Sequence, residues 1–216
     1  LGQLPVAIAE MVGVSGVGRV TAKGKITKTE TTTGYDLTGQ MNRLTVKGDM
    51  LSGAAATIGS GTYAVKGQKT DVTSDVANID ADLKGLNYKT ATGTRLTGDV
   101  TVKGSWPAKG AFAMSVKSPS LRTILVDKPA AAPTPLNLEM SGTRDAATSL
   151  IDVTKLTLDG GGIKGGGAAR MNAEGLDKLD LTADLSMPTF ASVWVAMFDP
   201  NTSGTGTGRL LSLIHI

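Results

Sequence analysis

The stretch LDKLDLTADLSMPTFASVWVAMFDPNTSGTGTGRL, residues 176–210, decides how the rest of the chain is read. Its first part alternates. Leu179, Leu181, Ala183 and Leu185 are apolar, with Asp180, Thr182, Asp184 and Ser186 between and after them. A period of two sends these sets to opposite sides of a β-strand, giving one apolar face and one wet face. Pro188 lacks a backbone donor and predicts the end of that strand. Residues 190–198, FASVWVAMF, are apolar and short, and predict a helix of about two turns, closed by Asp199-Pro200. The Gly-Thr-Gly-Thr-Gly run at residues 204–208 predicts re-entry into strand. The unit is strand, proline, short apolar helix, glycine-marked strand.

Working outward, the unit recurs. Phe112, Met114 and Val116 alternate, Pro119 follows, and residues 121–126, LRTILV, stand where the helix belongs. A Pro/Ala spacer at residues 128–135 leads to the alternating Leu136, Leu138 and Met140, which end at Gly142. We read the spacer as an extended loop within one continuous sheet. At the N-terminus Pro5 precedes the apolar residues 6–14, then Gly16-Val17-Gly18 and a strand over residues 19–26. The prolines at 5, 119 and 188 are unevenly spaced, so the module carries variable insertions and is not a short-period solenoid.

The segment between, residues 18–104, reads as strands and turns. Four places share the pattern apolar-Lys-Gly: Val46-Lys47-Gly48, Val65-Lys66-Gly67, Leu83-Lys84-Gly85 and Val102-Lys103-Gly104. Each predicts an apolar residue inward, a lysine outward and a glycine at the turn, and outward lysines also discourage edge-to-edge aggregation. Residues 50–61 are small and apolar, suited to a flat strand pair. With 28 glycines and an aromatic content of 4%, the composition suits an extended, mainly β architecture with tight turns.

Composition also narrows the chemistry. The chain has no cysteine, so disulfides, thiolate catalysis and cysteine metal sites are excluded. Its one histidine is His215, inside the terminal hexapeptide LSLIHI at residues 211–216. That hexapeptide resembles the translation of a sequencing-library transposase adapter, and we read it as a scar on a fragment whose natural part is residues 1–210. Net charge is +3; residues 1–104 hold 12 basic against 9 acidic groups and residues 105–216 hold 10 against 10, so neither half is a patch for nucleic acid. No run reaches the roughly 18 apolar residues of a membrane span.

Candidate sites were weighed against plain structural roles. Residues 160–162 and 165–167 are glycine triplets around Ile163-Lys164, but the lysine precedes the second triplet, so the phosphate-loop spacing is absent and a sheet corner is the better reading. Ser15 has no histidine to activate it. Asp177, Asp180 and Asp184, and the pair Asp80 and Asp82, resemble an acid/base set, but Asp180 and Asp184 alternate with leucines and so face water, and nothing predicts the buried or coupled carboxylate that general acid–base work needs. Phe190, Trp194 and Phe198 form an aromatic stripe at helical spacing, read first as the plug of a sheet end. No catalytic, metal or cofactor site emerges.

The pattern of residues 179–210, and of residues 112–142 and 5–26 after it, resembles the AsmA-like family, the bacterial envelope bridge-like lipid-transport proteins of the AsmA and TamB type. The Pro/Ala spacer and glycine triplets depart from it. The resemblance implies a non-catalytic periplasmic protein of a Gram-negative envelope, held to the inner membrane by a segment outside this sequence. It implies a mainly β, elongated, curved antiparallel-rich sheet, an open groove or solenoid-like, with short helices between repeated units. Its apolar face would carry phospholipid acyl chains and support intermembrane lipid transport or outer-membrane assembly. The alternating apolar residues expected to line that face are Val100, Val102, Phe112, Met114, Val116, Leu136, Leu138, Met140, Leu179, Leu181, Ala183 and Leu185. The alternative is a structural, adhesin-like secreted β-rich protein, which the glycine and threonine content fits equally well.

Overall fold

The computed structural model describes residues 15–47, 55–70, 73–90, 93–125, 130, 132–186, 189 and 207–215. Every element among them is a strand: β1 (Ser15–Lys28), β2 (Thr32–Lys47), β3 (Ala55–Thr70), β4 (Ser74–Lys89), β5 (Arg95–Trp106), β6 (Lys109–Ile124), β7 (Thr134–Asp145), β8 (Leu150–Gly160), β9 (Ile163–Asn172), β10 (Gly175–Ser186) and β11 (Thr207–His215). They form one sheet in chain order, each antiparallel to the next. The mainly β, antiparallel architecture expected from the sequence is present, and the sheet is open and uncurled.

The connections are sorted by end. At one end the chain turns through residues 29–31, 71–73, 107–108, 146–149 and 173–174. The longer connections, residues 48–54, 90–94, 125–133 and 187–206, are all at the other end, joined there only by the tight turn at 161–162. Two turns of the first end share a threonine clasp. The Thr29 N–H donates to the Thr32 carbonyl oxygen at 2.8 Å, and the Thr32 N–H donates back to Thr29 Oγ1 at 3.1 Å. Thr70 and Thr73 repeat this at 2.9 and 3.0 Å. A hydroxyl acceptor here completes the turn's backbone bonding as an Asx-type mimic does.

Three local expectations are corrected. Pro119 does not end its strand: β6 runs through it to Ile124, so residues 121–124 are strand where a short helix was expected. The β6–β7 register shifts between Ser118 and Leu121, and such a bulge accommodates a residue that cannot donate to the ladder. The glycines of the apolar-Lys-Gly pattern are not at turns either; Gly67, Gly85 and Gly104 lie inside β3, β4 and β5. Of the two glycine triplets only the first makes a corner, with Gly161 and Gly162 at φ 60° and 83°, as a two-residue hairpin requires. The second is the middle of β9. The helices expected over residues 6–14 and 190–198 lie outside the described residues.

The strands are long because bulges let them continue. Apolar spacing slips from two to three at Val76–Ile79, Leu83–Leu86 and Val153–Leu156, and the register shifts at each of these places, as it does between Ser118 and Leu121. In β2 the same slip from Met41 to Leu44 passes Arg43, which takes φ 51°. One extra residue reverses the alternation, so the apolar residues beyond it can return to the same side.

Candidate functional site

Directly paired residues of an antiparallel sheet share a face, so the register defines what that face carries. One row runs through Ala22, Gly39, Tyr63, Ala81, Val102, Val116, Leu138, Leu158, Gly165 and Ala183, and ends in register with Leu210. It crosses all eleven strands without a polar residue. The next runs through Gly24, Leu37, Val65, Ile79, Gly104, Met114, Met140, Leu156, Gly167 and Leu181. A third row holds Ile26, Tyr35, Gly67, Val76 and Trp106, and continues from Phe112 through Gly142, Val153 and Ala169 to Leu179. A fourth holds Val20, Met41, Gly61, Leu83 and Val100, then Leu136, Gly160, Ile163 and Leu185.

All twelve residues singled out from alternation therefore lie in these four rows. Two details qualify their exposure. Phe112 is buried at 2% exposure and Val100 is also buried, whereas the other ten are half-buried and none is fully exposed. The sequence reading missed Leu37, Val65, Ile79, Leu83, Leu156, Leu158 and Ile163, which share the face. Only cross-strand register reveals them, because each strand by itself gives two faces and no indication of which face its neighbours join.

The face is partly covered by its own side chains. The Tyr63 ring of β3 lies against Gly39 of β2, and its hydroxyl donates to the Thr21 carbonyl oxygen of β1 at 3.1 Å. Tyr35 of β2 does the converse: it lies against Gly67 of β3 and donates to the Asp75 carbonyl oxygen of β4 at 3.3 Å. A side chain at either glycine would collide with the ring and with the backbone beyond it. The aromatic ring supplies the apolar cover that the glycine lacks. Burial raises the hydroxyl pKa of both tyrosines above the usual value. Met114 lies against Gly104 in the same way.

At the short-turn end the third row is closed by an aromatic pair. The Trp106 and Phe112 ring centroids are 4.7 Å apart at 57°. The Arg144 guanidinium sits 5.2 Å from the Trp106 centroid, and its Nη1 donates to the carbonyl oxygens of Pro107 at 2.9 Å and Ser74 at 3.2 Å. Arg144 thus ties β7 to both the start of β4 and the β5–β6 turn, a contact across 70 residues of chain.

The opposite face is polar. One of its rows reads Thr21, Gln40, Thr62, Asp82, Thr101, Lys117, Asn137, Asp159, Lys164 and Asp184. Ion pairs join its strands: Lys66 to Asp36 at 3.3 Å, Lys103 to Asp80 at 2.9 Å, Lys84 to Asp82 at 3.2 Å and to Asp99 at 3.6 Å, Lys117 to Glu139 at 3.3 Å. Bonding to Asp82, with Asp99 beside it, pushes the Lys84 pKa up. At the sheet end, Lys109 and a backbone N–H from Ala147 hold the Asp145 carboxyl below its usual range. These pairs are exposed and screened by water, so they contribute little to stability; their main effect is to keep this side wet. Three of the four lysines in the apolar-Lys-Gly pattern are thereby engaged. Asp80, Asp82 and Asp177, weighed as acid/base groups, are ion-paired members of this face or its margin. Among the described residues no three carboxylate, histidine or cysteine groups gather as for a metal ion, and no helix is long and apolar enough to cross a membrane.

No family model, no curated protein and no solved structure matches the chain.

Proposed function

We propose that this sheet binds phospholipid acyl chains on its apolar face, as part of a non-catalytic AsmA-like protein of a Gram-negative envelope that moves lipid between membranes or supports outer-membrane assembly. The observation that carries the reading is the set of four apolar rows running across the sheet. At a strand spacing of about 4.8 Å and a rise of about 3.4 Å per residue, they cover about 50 Å by 20 Å. That footprint is about 1,000 Å². Each methylene transferred from water to such a surface gains about 0.8 kcal/mol. The rows run perpendicular to the strands, so a chain moving from strand to strand exchanges like contacts for like.

The test is lipid extraction and native mass spectrometry on the chain expressed in a Gram-negative periplasm. Phospholipid is expected to co-purify with the wild type and to be lost in Leu181→Asp, with native circular dichroism of the variant as the check on its folding. Lipid-free wild type with native circular dichroism overturns the reading and leaves a structural role.

A further inference from the structure

The wet face has a depression of its own across β1 to β4. Its volume is about 460 Å³, within the range of about 300–1,000 Å³ that ligand clefts occupy. Two adjacent cross-strand rows make it. Arg19, Asn42, Ser60 and Lys84 stand in register on the four strands, and Thr21, Gln40, Thr62 and Asp82 form the next row. All of these residues line the depression, and all of their side chains can hydrogen-bond. From Arg19 to Lys84 is three strand spacings, about 14 Å.

The register explains why the depression lies here. The β1–β2 ladder shifts between Val17 and Arg19, where β2 carries Arg43 at φ 51°. The β4–β5 ladder shifts between Leu83 and Leu86, where β4 carries Gly85 at φ 62°. Both bulges fall directly beyond the row of Asn42 and Lys84, and bulged strands bend. Arginine rarely takes the left-handed region, and backbone held in such regions gathers at ligand sites.

The side chains select the ligand. Gln40, Asn42, Ser60 and Thr62 are exposed, and their amides and hydroxyls have no hydrogen-bond partner among the described residues. Such groups both donate and accept, so they match a ligand whose own groups do both. Lys84 is already held by Asp82 at 3.2 Å, and that carboxylate belongs to the same depression. An anionic ligand would be repelled by it, whereas a hydroxyl can donate to it.

We propose that this depression binds a saccharide. Hydroxyls of hexose rings hydrogen-bond to Gln40, Asn42, Ser60 and Thr62, with Arg19 and Asp82 at the two ends. No aromatic residue lines the depression among the described residues, so binding rests on hydrogen bonds. The site is on the side opposite the four apolar rows and does not depend on the acyl-chain reading.

NMR titration of the isotope-labelled full chain with maltotriose, cellotriose and mannotriose in turn tests it. The side-chain amide signals of Gln40 and Asn42 are expected to shift and saturate with at least one of the three. Gln40→Ala with Asn42→Ala should weaken that binding about tenfold or more, and Lys155→Ala, outside the depression, should leave it unchanged. If the double variant does not fold, Thr62→Val gives the same decision. No saturable shift with any of the three sugars, unchanged affinity in a folded variant, or saturation by inorganic phosphate at a lower concentration than by any sugar would each overturn the proposal.

Discussion

Strands β2 and β3 use glycine on the apolar face in one way, and β9 with β10 use it in another. Gly39 and Gly67 lie under tyrosine rings that reach past them to the next strand. Those rings make a local core: Tyr35 is 5% exposed and Leu37 beside it 7%. In β9, Gly165 and Gly167 have no ring over them among the described residues. A side chain there would meet the backbone of β10, at Thr182 and Ala183 or at Asp180 and Leu181. The absence of side chains allows close strand approach, and Leu181, Leu185, Leu156 and Leu158 beside it stay only half-covered. One residue type thus gives a braced region and an accessible one within a single continuous face.

That contrast can be broken by truncation. Leu37→Ala removes a buried side chain of the braced region and is expected to cost about 2–5 kcal/mol in urea unfolding. Leu181→Ala, half-exposed beside glycine, is expected to cost well under half of that. Equal losses would mean that the two regions are not different in packing. A smaller effect belongs to the ring-over-glycine contact. Gly39→Ala should lose about 1–3 kcal/mol through overpacking, and truncating the ring with Tyr63→Ala in the same chain should make the two changes non-additive. Additive losses would separate the glycine from the ring.

The smallest expected effect sharpens the comparison through pH. Tyr35→Phe keeps the ring and removes the hydroxyl's bond to Asp75, for about 1 kcal/mol. Burial, ahead of the influence of Asp75, raises the Tyr35 pKa above the ordinary value of 10.0. The native state then holds this proton more tightly than the unfolded chain does. Its contribution is complete below about pH 10 and is lost as pH rises through the folded value. Wild type should therefore lose stability on the alkaline side more steeply than Tyr35→Phe, measured by midpoints of urea unfolding from neutral pH upward. Parallel curves would show that the hydroxyl is not held in the native state.

How much was legible in the sequence follows from the same residues. Leu179, Leu181, Ala183 and Leu185 announce a strand and one apolar side because the side-chain period is two. The helix expected at residues 121–126 failed because a proline was taken as a stop, when a bulge between Ser118 and Leu121 carries the strand past it. An apolar spacing of three, as at Val76–Ile79 and Val153–Leu156, is a bulge within a continuing strand.

By itself the sequence determined that the chain is β-rich, that its strands are two-sided, and that cysteine chemistry is absent. Those are properties of single strands and of composition, set by local period and residue type. Only the tertiary structure decided that the apolar sides of successive strands fall in common rows and that tyrosines brace glycines across strand boundaries. Register is a relation between segments as far as 70 residues apart, as in Arg144 and Ser74, and no local pattern encodes which partner a residue will face.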